Sequence, residues 1–153
     1  MANPFPFVAG SVLTAAELNG IGEKTNYTPT FTNLTVGNGT LTAFHTRVQN
    51  IVNVFVQVVF GSTTSISGDV SVSMPFARTD FRDFSLGNVT LYDLGTLIAV
   101  GGVIPVSTDK NIVLVRQGLV SGPTMLISPI SATSPFTWAT GDILSLSYCY
   151  QAA

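Results

Sequence analysis

The chain has 153 residues, of which 46% are apolar and only 9% charged, and its formal net charge is −2. That length suits one domain with its own core and a monomer surface of roughly 7,400 Å². The few Lys and Arg form no basic run, which leaves no footprint for nucleic acid. No apolar run nears the ~20 residues of a membrane helix, and the single cysteine excludes an intrachain disulfide.

Residues 1–26 differ from the rest. "NPFPF" is extended, because each proline drives its predecessor out of the helical region. The segment has no basic stretch and is not expected to act as a secretory leader. "LTAAELNGIGEK" predicts a short helix from about Thr14 to Asn19. Thr14 caps it, Glu17 completes the capping box, and Leu13 and Leu18 take the staple positions. Such a helix is too short to persist alone. The segment is therefore expected to be a docking arm that buries Phe5, Phe7, Val8, Leu13, Leu18 and Ile21 against a partner.

From Tyr27 onward the hydrophobic period is two. "TPTFTNLTV" reads as a strand, and "VGNGT" as a turn with positive φ at Asn38 and Gly39. "TLTAFHTRV" and "IVNVFVQVVF" are strands joined by a tight turn at Gln49–Asn50. "GSTTSISG" reads as a loop, "DVSVSMP" as a strand stopped by Pro75, and "RTDFRD" as a charged loop. Strands follow in "FSLGNVTLYDLG", "TLIAVGGVIPVS" and "NIVLVRQG". "ISPISATSP" reads as a connection, and "FTWATGD" leads into the closing strand "ILSLSYCY". About eight to ten strands with no helix after residue 26 predict an all-β fold, a jelly-roll-like antiparallel β-sandwich spanning 27–153.

Residues able to carry chemistry are sparse. In "TLTAFHTRV" the alternation leaves the facing of His45 ambiguous, and a surface or interface histidine is expected. Cys149, in "LSLSYCYQ", is expected to be a small half-buried hydrophobe. Asp80 and Asp83 flank Arg82, a spacing that suits a solvated, self-paired loop, or a cation or glycan hydroxyl. Asp142 is expected to shape the turn into the last strand. Trp138, Tyr92, Tyr148 and Tyr150 are the aromatic platforms a carbohydrate-binding module would need, though Trp138 beside its turn is expected to serve the core or a subunit axis. No nucleophile–base motif, phosphate loop or metal-ligand spacing occurs, so neither catalysis nor a cofactor is expected. Asp80, Arg82, Asp83 and Trp138 remain the candidate ligand surface.

Tyr27-Thr28-Pro29-Thr30, Gly37-Asn38-Gly39-Thr40, Arg47, Gly61 through Val70 and Pro75 together resemble a β-sandwich module of bacteriophage virion proteins. "AGSVLTAAELN" is similar to short attachment peptides of phage tail-fibre and accessory structural proteins. "TGDILSLSY" resembles the closing strand of complement and tumour-necrosis-factor heads. The resemblance covers about half the chain and departs from the pattern at the Gln49–Asn50 turn and at His45. It implies a homotrimeric accessory subunit of the virion, a tail-fibre or baseplate adhesin or a capsid decoration protein. Such a subunit would dock to another virion protein through its arm and could meet a host surface glycan. The alternative is a free carbohydrate-binding or receptor-binding head. Six basic and eight acidic residues are few for an isolated surface of that size, which also favours self-association.

Overall fold

A computed structural model describes residues 10, 12, 14–15, 21–79, 85–105, 107–121 and 124–153, with the backbone alone at 119–121 and 124–125. Eleven strands follow in chain order. They are β1 (Thr25–Asn26), β2 (Phe31–Thr35), β3 (Thr40–Val48), β4 (Ile51–Val59), β5 (Ser65–Ser73) and β6 (Ser85–Asp93). After these come β7 (Ile98–Pro105), β8 (Ile112–Leu114), β9 (Arg116–Ser121), β10 (Thr124–Pro129) and β11 (Ile143–Gln151). The protein is all-β, with two antiparallel sheets. One has eight strands in the order β1-β3-β4-β11-β6-β7-β9-β10, and the other has three in the order β2-β5-β8.

Strict alternation decides which side chains enter the core. Val52, Val54, Val56 and Val58 of β4 point inward, as do Leu144, Leu146, Tyr148 and Tyr150 of β11. Ile66, Val70 and Val72 of β5 and Val113 of β8 meet them from the smaller sheet, so both sheets share one core. Each such side chain contributes roughly 1.5–3 kcal/mol on full burial. β-branched residues dominate because they fit a pleated surface.

Several elements differ from the sequence expectation. β5 begins at Ser65, inside the stretch read as a loop, and pairs with β2 across a bulge between Thr32 and Leu34. At that bulge Asn33 takes φ 59°, and its Nδ2 donates to the Asp69 carbonyl at 2.9 Å. "NIVLVRQG" is not one strand. β8 belongs to the small sheet and β9 to the large one, and the chain crosses between them at Val115, which is fully buried. Alternation runs unbroken through such a crossing, so the pattern conceals it. The stretch read as a connection supplies the end of β10, which closes on Pro129. An edge strand tolerates that proline because it has one unpaired side. Positive φ in the first turn falls on Gly37, at 57°, rather than on Asn38 and Gly39. In the β3–β4 turn Gln49 adopts it, at 53°.

Of the docking-arm residues only Ile21 is described, and it is half-buried. Phe5, Phe7, Val8, Leu13 and Leu18 lie outside the described residues, as does most of the expected helix. β1 ties the start of the described chain to β3, pairing Thr25 with His45 and Asn26 with Phe44.

Candidate functional site

The register of the large sheet gathers its turns into two ends. Thr40, Val59, Ile143, Tyr92 and Ala99 lie in one cross-strand row. The turns at 36–39, 60–64, 94–97 and 139–142 therefore sit side by side at one end of the molecule.

Three polar knots hold that end. Asn38 is clamped by the β4–β5 loop: its Oδ1 accepts from the Thr63 N–H and hydroxyl, both at 2.9 Å. Its Nδ2 donates to Ser62 Oγ at 3.0 Å, and its N–H donates to Thr63 Oγ1 at 2.8 Å. The two turns approach so closely that a Cβ at Gly61 would overlap the Asn38 backbone and carbonyl. The Gly-Asn-Gly and Gly-Ser-Thr-Thr motifs are thus two halves of one lock. Asp142 makes the second knot, almost wholly buried. Its Oδ1 accepts from Leu94 N–H at 3.0 Å and its Oδ2 from Ala139 N–H at 2.6 Å. This is the turn-shaping role expected for it, extended to a second loop. In the third, Asp93 Oδ1 accepts from the N–H groups of Gly95 and Thr96, and its Oδ2 from the Thr96 hydroxyl. These hydrogen bonds, that of the Thr96 hydroxyl foremost, hold the Asp93 carboxyl below the usual carboxylate range.

The third knot supports an exposed aliphatic tip. Leu97 is 71% exposed and Ile98 53%, with Leu97 held at φ 59°, a conformation rare for a branched side chain. Sequence reasoning passed over this tip. Its only signal was the turn "DLGT" set between leucines.

Trp138 lies at the same end, half-buried, stacked on Phe60 with centroids 4.5 Å apart. Its Nε1 donates to the Ser131 carbonyl at 3.0 Å. That is the core role expected for it. Asp80, Arg82 and Asp83 lie outside the described residues. Thr79, just before them, donates to the Gln151 carbonyl at 2.9 Å, which is the far end of β11 from Trp138.

The opposite half holds the aromatic cluster. His45 is buried, not at the surface, because β3 turns the Ala43/His45 face inward. Tyr27 and Phe76 meet its ring edge-on at 5.7 and 5.2 Å. The Arg47 guanidinium covers the other ring of this group, 4.6 Å from the Phe76 centroid. Tyr148 and Tyr150 are buried beside them rather than exposed as platforms. The Tyr150 hydroxyl donates to the Phe76 carbonyl at 2.9 Å. His45 Nδ1 and the hydroxyls of Tyr27 and Tyr148 are buried without a well-formed hydrogen bond. Burial holds the Tyr148 phenol far above its ordinary range, with the Tyr27 hydroxyl adding to the effect. Burial pushes Tyr150 up to about 12. These phenols stay neutral and serve packing.

Burial also lowers the His45 pKa below its ordinary value, and the Arg47 charge lowers it further. Among the described residues, Tyr27 and Phe76 pack on the imidazole and Arg47 is the charge that acts on it. A histidine held neutral in the fold favours the unfolded chain once the unfolded chain binds a proton. Stability is therefore full above about pH 6.5 and falls as pH drops from there toward the lower folded pKa. Melting of the wild type and of His45→Phe at pH 7.5 and pH 5 tests this. The wild type should lose more stability than the variant, and equal losses would refute the assignment.

Cys149 is exposed on the outer side of β11 rather than half-buried. Among the described residues no three His, Cys, Asp or Glu side chains converge on one point. No helix among them is long and apolar enough to cross a membrane. No family model, curated protein or solved structure matches this chain.

Proposed function

We propose that this chain is a structural subunit of a bacteriophage virion. In this reading residues 27–153 form a jelly-roll-like sandwich head that assembles as a homotrimer. Residues 1–26 form the arm that docks it to another virion protein. The observation that carries the reading is the employment of the ordered polar groups. Asn38 binds the backbone of the β4–β5 loop, Asp142 that of Leu94, Gln117 the Pro129 carbonyl, and Asp93 caps its own turn at Gly95 and Thr96. That is scaffold construction, and it makes loops and faces the working parts. The carbohydrate-binding alternative draws less support, since Tyr148 and Tyr150 are buried and Trp138 is stacked on Phe60.

Deleting residues 2–20 tests the division of labour. The cut spares β1, whose Tyr27 neighbour packs against the core. The truncated head should melt within a few degrees of the full chain yet be absent from assembled particles. Unfolding of the truncated head would place the arm in the core. Normal incorporation would place docking elsewhere.

A further inference from the structure

Charge is distributed unevenly over the two sheets. On the outer side of the large sheet, alternate positions run 40–48 on β3, 51–59 on β4, 143–151 on β11, 88–92 on β6 and 99–103 on β7. None of them is Asp, Glu, Lys or Arg. Thr, Ser, Asn and Gln alternate there with aromatic and branched side chains. Phe44 and Phe55 stack midway along β3 and β4, on the β1 side of the face, with centroids 5.2 Å apart. Charges cluster elsewhere, as in the Asp69–Arg116 ion pair that links β5 to β9. One cation, Lys24, reaches the β1 margin of the face, with Nζ 4.4 Å from the Phe44 centroid.

An exposed sheet face ordinarily carries charge of both signs, which keeps it soluble and unpaired. A face whose strand positions carry no charge, with a stacked aromatic pair and a cation entering from the β1 margin, has the charge-depleted, aromatic-enriched make-up of an interface core. Three strands of nine residues and two stretches of five, at about 4.8 Å between strands and about 3.4 Å per residue, give roughly 600 Å². Specific associations bury about 600–1,000 Å² per partner, so this face reaches the lower end of that range. The occupant follows from the charge. A strongly acidic or basic partner would lose hydration here and find no counter-charge. The same neutral face on further copies, gathered about one axis, suffers no such loss and meets no like-charge repulsion.

We infer that the outer face of β3-β4-β11-β6-β7 is the surface on which a second copy of this chain sits. The inference rests on the self-association proposed above, but not on the virion role.

The test places a lysine on this face at two exposed polar positions, as separate variants Thr42→Lys and Ser147→Lys. Thr32→Lys, on the exposed side of β2, is the control. Light scattering at micromolar concentration reads the mass, and thermal melting confirms folding. The wild type and Thr32→Lys should exceed the 16.1 kDa of a monomer. Both face variants should fall to it, with association weakened at least about a hundredfold by the buried unpaired charge. Cys149, exposed on this face in the single chain, gives a readout that needs no variant. Its thiol should react slowly in the concentrated wild type and quickly on dilution.

A wild type of 16.1 kDa at every concentration would overturn both this inference and the proposed self-association. An assembled wild type whose face variants stay assembled would overturn only the face. Loss of assembly on deleting residues 2–20, with the face variants unaffected, would place the contact between copies in the arm and overturn the face.

Discussion

Gly102→Ala should lower stability by about 3 kcal/mol, whereas Gly101→Ala, one residue away, should leave it unchanged or slightly raised. The two glycines differ only in what lies beyond them. Gly102 faces inward where β9 crosses β7, and a Cβ there would overlap the Arg116 carbonyl. Backbone cannot rotate aside as a flexible side chain would. Only two residue pairs, Gly102 with Gln117 and Val103 with Arg116, join β7 to β9. The clash would therefore loosen the hold on β9 and β10 together. Gly101 points outward, with nothing of its own chain within 4 Å, so within one chain alanine there restricts only the unfolded state, a gain of up to about 1 kcal/mol. At this size 1 kcal/mol moves the melting temperature about 2–4 °C. Melting of both variants beside the wild type decides the matter. Equal curves would mean that β9 can shift to admit a methyl group.

Asp142→Ala should cost about 2–5 kcal/mol. The change removes both acceptors of a buried carboxylate, so the N–H groups of Leu94 and Ala139 are stranded. Each stranded buried donor costs about 1–3 kcal/mol. Asp142→Asn keeps the shape but turns one acceptor into a donor facing a donor, so about half the loss should remain. Hydrogen exchange of the Leu94 and Ala139 amides adds a local reading. Both should exchange faster in Asp142→Ala, and protection equal to the wild type would show that the knot is held by other groups.

The strands of this protein were legible wherever one strand has one wet side. β3, β4, β6, β7 and β11 stand where the alternation placed them, because each turns one face to the core and the other to solvent. Legibility ended where the fold depends on partners distant in sequence. The crossing at Val115 keeps the period of two while it changes sheets. The facing of His45 depended on Tyr27 and Phe76, which no local pattern pairs with it. Asp142 was readable as a turn residue, but its grip on Leu94 required the register of β11 against β6. The Asn38 lock was visible as two motifs and not as one contact. The exposed tip at Leu97 carried no signal beyond its turn.

β11 lies between β4 and β6, though both precede it by many residues in the chain. During synthesis the ribosome releases residues one after another, at about 5–20 per second. For that interval β4 and β6 each carry an edge that only β11 can fill. Long-range closure of this kind is slow and leaves unpaired edges open to other chains. A polypeptide whose translation stops before Ile143 keeps both edges permanently. Products that end before β11 therefore cannot complete the sheet, and their open edges favour aggregation or proteolysis.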